Sequence, residues 1–233
     1  MKSSKAFTKS YFKKLPIGIL LLVLLFAGAI VLFTLIVHEV FWEQEAEADH
    51  YIFDLLSDHV IHPGLTGFME TVTYFASARF LQIAYGVVIL FYLAYRHWKR
   101  ALEIAAIGVG GFLVNYVMKL SFQRVRPPDP LIDPLHNFSF PSGHATSAFI
   151  FYGLLTYLIW KTDLSKTYKY LIGTALILFS LLIGFSRIYL RVHYLSDVVA
   201  GFCIGFAWLL LSIYLFERMK KKAATEVANP KEG

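Results

Sequence analysis

An all-α polytopic membrane protein, with six transmembrane helices in one bundle, is what this sequence predicts, and three observations predict it. First, only 16% of the 233 residues are charged while 57% are hydrophobic, against roughly 25% charged residues in a soluble domain. Second, apolar runs recur at about 16–40, 79–96, 101–120, 145–161, 168–188 and 196–217. Each approaches the ~20 residues that cross a bilayer, and none carries helix-period polarity along its whole length. Third, the lysines and arginines between the runs fall on alternate connections, as the positive-inside bias requires. The mean hydropathy of +0.58 excludes an intrinsically disordered chain, which needs low hydrophobicity and high net charge. A single cysteine, Cys203, excludes an internal disulfide framework and a cysteine-based zinc cluster. The length suits one domain over 1–233, with a solvated tail from about 219 to 233.

The first run follows Lys2, Lys5, Lys9, Lys13 and Lys14. Ala46-Glu47-Ala48 imitates a cleavage site, but the run exceeds the about 7–15 apolar residues of a signal peptide, so it reads as an anchor helix. Residues 50–77 differ from the runs. Ile52, Phe53, Leu55, Leu56 and Phe68 are mixed there with Asp54, Asp58 and Glu70, which predicts an amphipathic segment lying along the interface between the first two spans. Arg96, Lys99 and Arg100 lie between the second and third spans, and Lys161, Lys166 and Lys169 between the fourth and fifth. Arg218, Lys220, Lys221 and Lys222 follow the sixth. Six crossings bring these groups and the N-terminal lysines to one side, the cytoplasm, of a plasma membrane. The other side receives Glu43, Glu45, Glu47, Asp49, Asp54 and Asp58. Trp42, Trp98 and Trp160 fall near span ends, as in an aromatic belt. Topology and an anionic lipid bilayer thus account for the formal charge of +6, and no nucleic-acid partner is needed. No protein partner is readable.

Six basic residues remain on the outer side: Arg79, Lys119, Arg124, Arg126, Arg187 and Arg191. Charge at the membrane boundary is costly and marks function, although Arg79 alone is explained by snorkelling. Three stretches gather at that face: Lys119 to Pro127, Pro141-Ser142-Gly143-His144, and Ser186-Arg187 followed by His193 and Asp197. Lys119, Arg126 and Arg187 supply three positive charges, and guanidinium forks match phosphate oxygens. Pro141 and Gly143 open a helix, whose free N–H groups form an anion site. The outer acidic residues lack the clustered spacing of a magnesium cage, so the cations themselves would stabilise the transition state, with no metal and no cofactor. His193 and Asp197 are four apart and share a helix face. A carboxylate that fixes one ring nitrogen leaves the other as a nucleophile, and His144 is free to be the general acid.

These stretches resemble the three signatures of the type 2 phosphatidic acid phosphatases, the lipid phosphate phosphatases. They are Lys-x6-Arg-Pro, Pro-Ser-Gly-His and Ser-Arg-x5-His-x3-Asp, found in order as Lys119 to Pro127, Pro141 to His144 and Ser186 to Asp197. The motif core is 119–197, and the six-span layout covers nearly the whole chain. The resemblance implies that His193 attacks phosphorus to form a phosphohistidine, that Asp197 orients it, and that His144 protonates the leaving oxygen and later activates water. It implies phosphate binding by Lys119, Arg126 and Arg187, with Ser142 and the Gly143 amide. Short bacterial members of the family dephosphorylate undecaprenyl pyrophosphate, phosphatidylglycerol phosphate or phosphatidic acid, so the implied activity is hydrolysis of a membrane lipid phosphate at the outer face. A phosphotransferase using the same site with an acceptor other than water is the alternative.

Other residues carry weaker readings. His59 and His62 lack a third ligand of clear spacing. His136 lies between motifs. Arg124 and Arg191 adjoin motif residues and are candidates to touch a pyrophosphate or an anionic head group. Tyr189 and Tyr194 read as interface packing. Gly108, Gly110 and Gly111 read as close helix contacts. With this topology, a cysteine introduced between 129 and 136 reacts with a membrane-impermeant thiol reagent in intact cells. Labelling only from the cytoplasmic side overturns the orientation.

Overall fold

A computed structural model describes residues 17–44, 47–133 and 137–228. Among them lie eight α-helices and no strand: α1 (Ile17–Val37, continued as π-helical His38–Glu43), α2 (Glu47–His59), α3 (Pro63–Tyr74), α4 (Ala78–Ala94), α5 (Trp98–Phe122), α6 (Gly143–Trp160), α7 (Lys166–Tyr189) and α8 (Leu195–Ala228). Lys2, Lys5, Lys9, Lys13, Lys14, Glu45, Ala46 and His136 lie outside the described residues. Each expected apolar run has a helix. Four helical stretches are long and apolar enough to cross a membrane: Ile17–Glu43, Trp98–Phe122, Lys166–Tyr189 and Leu195–Thr225. Taken together, α3 and α4, bent by 42° at their junction, make a fifth. The short helix α6 is not among them. It packs against α5, α7 and α8, so its surroundings are protein, and it carries His144, Thr146, Ser147, Tyr152 and Thr156 where a lipid-facing helix would carry aliphatic residues.

Residues 47–74 are more than a surface strip. Asp49, Phe53 and Leu56 of α2 and Met69, Val72 and Thr73 of α3 are buried. The reason is tertiary: α3 lies on α7 and α2 touches α8. The chain then bends, and Ser77 caps α4 by accepting the Phe80 N–H at 3.3 Å. At the other extreme, α8 runs on to Ala228, so residues 219–228, expected as tail, are helical. Lysine, alanine, methionine and glutamate are good helix formers, and Lys220 reaches Glu103 on α5 at 2.7 Å.

The interior centres on α6. Ile150, Leu154 and Leu158 pack with Ile104 and Ile107 of α5 and Leu209 of α8, while Ala148, Phe151 and Tyr152 meet Val72, Leu81 and Ile183. Glycines set how closely these helices approach. On α8, a Cβ at Gly201 would stand 2.8 Å from the Ser142 carbonyl oxygen, at the very start of α6. A backbone atom cannot swing aside as a side chain can. Gly108, Gly110 and Gly111 of α5 receive Tyr85, Trp208 and Ile150. By contrast α1 leaves most of its leucines and valines exposed; it docks on α8 where Ile36 packs near Ala200, while Phe33 and Phe41 meet Phe122 of α5 and Phe140 of the loop before α6. An apolar face that protein leaves uncovered suits lipid.

Gly201→Ala is expected to cost about 1–3 kcal/mol, read as a lower thermal midpoint in detergent. Gly67→Ala on α3, where nothing lies within 4 Å of the added carbon, leaves the midpoint unchanged or raises it. An unchanged midpoint for Gly201→Ala overturns the close-approach argument.

Candidate active site

The motif residues come from four places in the fold. Helix α5 ends where Gln123 turns into the left-handed region at φ 49°, its N–H returning to Lys119 O at 3.0 Å. That turn sends Arg124 and Arg126 across the bundle end. The loop at 137–142 comes next, and Ser142 caps α6, its hydroxyl accepting the Ala145 N–H at 3.5 Å. Arg187 lies in the last turn of α7 and Asp197 in the first turn of α8. His193 sits on the connection between those two helices.

The centre is His193, which is 1% exposed. Its Nδ1 lies 3.2 Å from Ser139 Oγ and 3.4 Å from Asp197 Oδ2. Its Nε2 lies 3.1 Å from Arg126 Nη1. A guanidinium can only donate, so Nε2 is the acceptor and Nδ1 carries the proton. Ser139 in turn donates to Asp197 Oδ2. Burial, reinforced by Arg126 and Arg187 against the opposing pull of Asp197, pushes the imidazole down to about 3. The ring is therefore neutral at physiological pH, with a lone pair aimed at Arg126.

Asp197 is wholly buried and saturated. Beyond Ser139 and His193 it accepts Tyr194 N at 2.9 Å and Arg124 Nη1 at 2.7 Å. Its backbone carbonyl accepts Ser142 N at 2.9 Å, joining α8 to the start of α6. Arg124 turns inward, toward two buried carboxylates. It bonds Ser196 Oγ at 2.7 Å and Asp49 Oδ2 at 2.8 Å, and its guanidinium lies 4.1 Å from the Tyr194 ring centroid. Burial works against the Arg124 charge, but Asp197 and Asp49 overcome it and hold its pKa above the ordinary value. Arg191 faces the Phe53 ring at 5.6 Å, and its Nε is buried without a partner.

The three expected anion binders surround this centre in different ways. Arg126 bonds Asn137 O at 2.8 Å, Asn137 Oδ1 at 2.5 Å and Val192 O at 2.6 Å. Burial lowers its pKa to about 10, which leaves it cationic at neutral pH. Lys119 bonds Phe138 O at 2.5 Å and Ser139 O at 3.2 Å, two of the three donors of an ammonium. Arg187, 2% exposed, bonds Thr73 Oγ1 at 2.8 Å, and its Nε has no partner. His144, one residue into α6, is half-buried, and its ring forms no hydrogen bond to a described residue. Arg187, His193, Arg126 and Lys119 all act on it electrostatically. A Cβ at Gly143 would stand 3.3 Å from Asn115 Oδ1 and 3.8 Å from Lys119 Cε, so glycine there lets α5 crowd the free N–H groups of the α6 start.

All eight residues expected from sequence gather at this end of the bundle. Ser139, Asn115, Asp49 and Thr73 escaped that reading. Asn115 donates to Thr146 Oγ1 at 3.1 Å and to Pro141 O at 3.4 Å. None of the four has a spacing that marks it. His59 bonds the Leu55 carbonyl at 3.3 Å, and among the described residues no three His, Cys, Asp or Glu side chains are placed to hold a metal ion.

A caged neutral imidazole thus lies among three cations, and comparison with known proteins gives the family. The chain belongs to the PAP2 superfamily, matched over residues 100–221. It is 32% identical to phosphatidylglycerophosphatase B of Bacillus subtilis (strain 168) over 166 residues, 68% of this chain and 79% of that one. It is 33% identical to undecaprenyl-diphosphatase BcrC of the same organism over 123 residues, 49% of this chain and 58% of that one. The crystal structure of a transmembrane PAP2 type phosphatidylglycerolphosphate phosphatase from Bacillus subtilis superposes with a TM-score of 0.75 at 26% identity, covering 83% of this chain and 96% of that one.

The His193 environment has a consequence for acid stability. In the unfolded chain the imidazole titrates near 6.5; in the fold it titrates near 3. Between those values the unfolded state binds the extra proton, so stability falls as pH falls. The thermal midpoint is expected to drop from pH 7 to pH 4, and His193→Asn to drop less steeply over the same range. Equal slopes overturn the burial argument.

Proposed function

We propose that the chain is a metal-independent lipid phosphate phosphatase working through a phosphohistidine at His193. One observation carries this reading: Nδ1 of a buried neutral imidazole is held by Ser139 and Asp197 while Nε2 faces the Arg126 guanidinium. An anion that draws the Arg126 donors away from Nε2 and from the loop oxygens they hold presents phosphorus to that lone pair. Nε2 attacks, the P–N bond forms, and the bond from phosphorus to the leaving oxygen breaks. His144, protonated once the bound phosphate offsets the surrounding cations, gives that oxygen its proton. Water then attacks the phosphohistidine, His144 takes its proton, the P–N bond breaks, and inorganic phosphate leaves.

Charge on the transferring group is spread over its equatorial oxygens, so fixed cations stabilise it without moving. Arg126, Arg187 through its unpaired Nε, and Lys119 through its remaining donor fill that role. The Gly143 amide and the Ser142 region add the positive end of α6. Asp197 orients His193 and balances the charge that its ring gains on phosphorylation.

The substrate class follows from the membrane setting and from relatives named for phosphatidylglycerol phosphate and for undecaprenyl diphosphate. We assign undecaprenyl pyrophosphate, phosphatidylglycerol phosphate or phosphatidic acid. The lysine and arginine distribution supports six crossings within a single domain, both termini in the cytoplasm, and the site at the outer face of the plasma membrane, and the mixed apolar and acidic pattern of residues 50–77 supports a segment along the interface.

The test is phosphate release by purified protein in detergent, with the three lipids side by side. Release is expected without added metal and in the presence of a chelator. His193→Ala is expected to lower it on the order of a thousandfold or more. Undiminished turnover by that variant sinks the mechanism. A strong preference for the prenyl diphosphate makes this a carrier-recycling enzyme, and a preference for glycerolipids makes it an enzyme of phospholipid synthesis.

A further inference from the structure

We infer that α2 and α3, which lie outside the family-matched residues, form a positioning layer for the site: Asp49 positions the Asp197 carboxylate through Arg124, and Thr73 positions the Arg187 guanidinium. The inference rests on the reading of His193 as nucleophile and assigns the reaction two residues that no motif contains.

Asp49 is 3% exposed. A buried carboxylate persists only where donors and a counter-charge meet it, and all of those lie beside the reacting histidine. The Ser196 N–H donates to Oδ1 at 2.9 Å, while Ser196 Oγ at 2.5 Å and Arg124 Nη2 at 2.8 Å donate to Oδ2. Arg124 spends its other terminal nitrogen on Asp197 Oδ1 at 2.7 Å. One guanidinium thus bridges two buried carboxylates, and the trio carries one net negative charge. That residual charge has a use. A pair of Arg124 and Asp197 alone would be neutral toward His193. With Asp49 present, negative charge survives beside the ring that becomes cationic on phosphorylation. The same bridge fixes the Asp197 plane, because Arg124 is held from both ends and stacked on Tyr194, which itself meets Phe53 of α2 edge-on at 5.4 Å.

Thr73 does for the anion seat what Asp49 does for the nucleophile. Its hydroxyl accepts from Arg187 Nη1 at 2.8 Å. This anchors one end of the fork and leaves Nε, buried and unpartnered, for an anion. The anchor is rigid because α3 packs along α7, and Tyr189 Oη, two residues beyond Arg187, donates to His62 O at 3.0 Å and accepts His62 N at 3.1 Å, at the entry to α3.

The experiment is steady-state phosphate release from phosphatidic acid in detergent micelles, with orthovanadate as the probe of the anion seat. Asp49→Asn is expected to lower kcat on the order of 10- to 100-fold with KM within about twofold. Combined with Asp197→Asn it is expected to add almost nothing, since both act through one carboxylate. Thr73→Val is expected to weaken vanadate inhibition by about tenfold, and Thr73→Ser to restore it. Asp49→Glu keeps the charge and carries the same cycle if Asp49→Asn does not fold. A kcat for Asp49→Asn within twofold of the parent, a double variant reduced by the product of the single effects, or vanadate inhibition untouched by Thr73→Val each overturns the inference. His193→Ala run alongside separates the two readings. Turnover by that variant removes the phosphohistidine, whereas its loss with normal Asp49 and Thr73 variants removes only the positioning layer.

Discussion

A single buried carboxylate, that of Asp197, ties the site together. It is wholly hidden from solvent, and an uncompensated charge there would unfold the bundle end. Its oxygens therefore draw donors from every nearby segment: Arg124 from the loop after α5, Ser139 from the loop before α6, and His193 and the Tyr194 amide from the turn after α7. The Ser142 amide meets its own carbonyl. Removing the carboxylate would take an acceptor from four donors in one place, where unmatched polar groups are most expensive. The stability of this end and the orientation of the proposed nucleophile are thus one constraint.

The two ends of the bundle handle charge differently. At the opposite end Arg100, Tyr157, Lys161, Glu217, Lys220 and Glu103 form a network joining α5, α6 and α8. Positive and negative members alternate there, and most are partly exposed. At the site end Lys119, Arg126 and Arg187 outnumber the carboxylates that reach them, and Arg187 keeps a buried Nε unpaired. An excess of confined positive charge is destabilising until an anion arrives. Close packing at Gly143 and Gly201 makes that arrangement possible, since it lets α5 and α8 press on the first turn of α6.

Much of this was legible beforehand. Apolar runs report helix positions because a bilayer demands long uninterrupted apolar stretches. Motif spacing reports the site because Lys119 and Arg126, or His193 and Asp197, keep their separation within local structure. Other features left no such trace. Arg124 reads as a second anion binder until Asp49, seventy-five positions away, is seen to occupy it. Ser139 looks like any small polar loop residue. Residues 50–77 carry an amphipathic pattern that says one face is buried, without saying that α2 meets α8 and α3 meets α7. The end of α8 reads as a solvated tail because a run of lysines signals solvent exposure, which is equally compatible with helix.

Sequence by itself determined the helical class, the approximate bounds of the apolar segments and the set of charged and histidine residues that share one end, all of which follow from hydropathy and short-range spacing. Only the tertiary structure decided which carboxylate meets which arginine, which nitrogen of His193 is left free, and that α2 and α3 reach into the site. Those outcomes depend on contacts between residues 54 to 147 positions apart, and no periodicity records a pairing that the packing of separate helices creates.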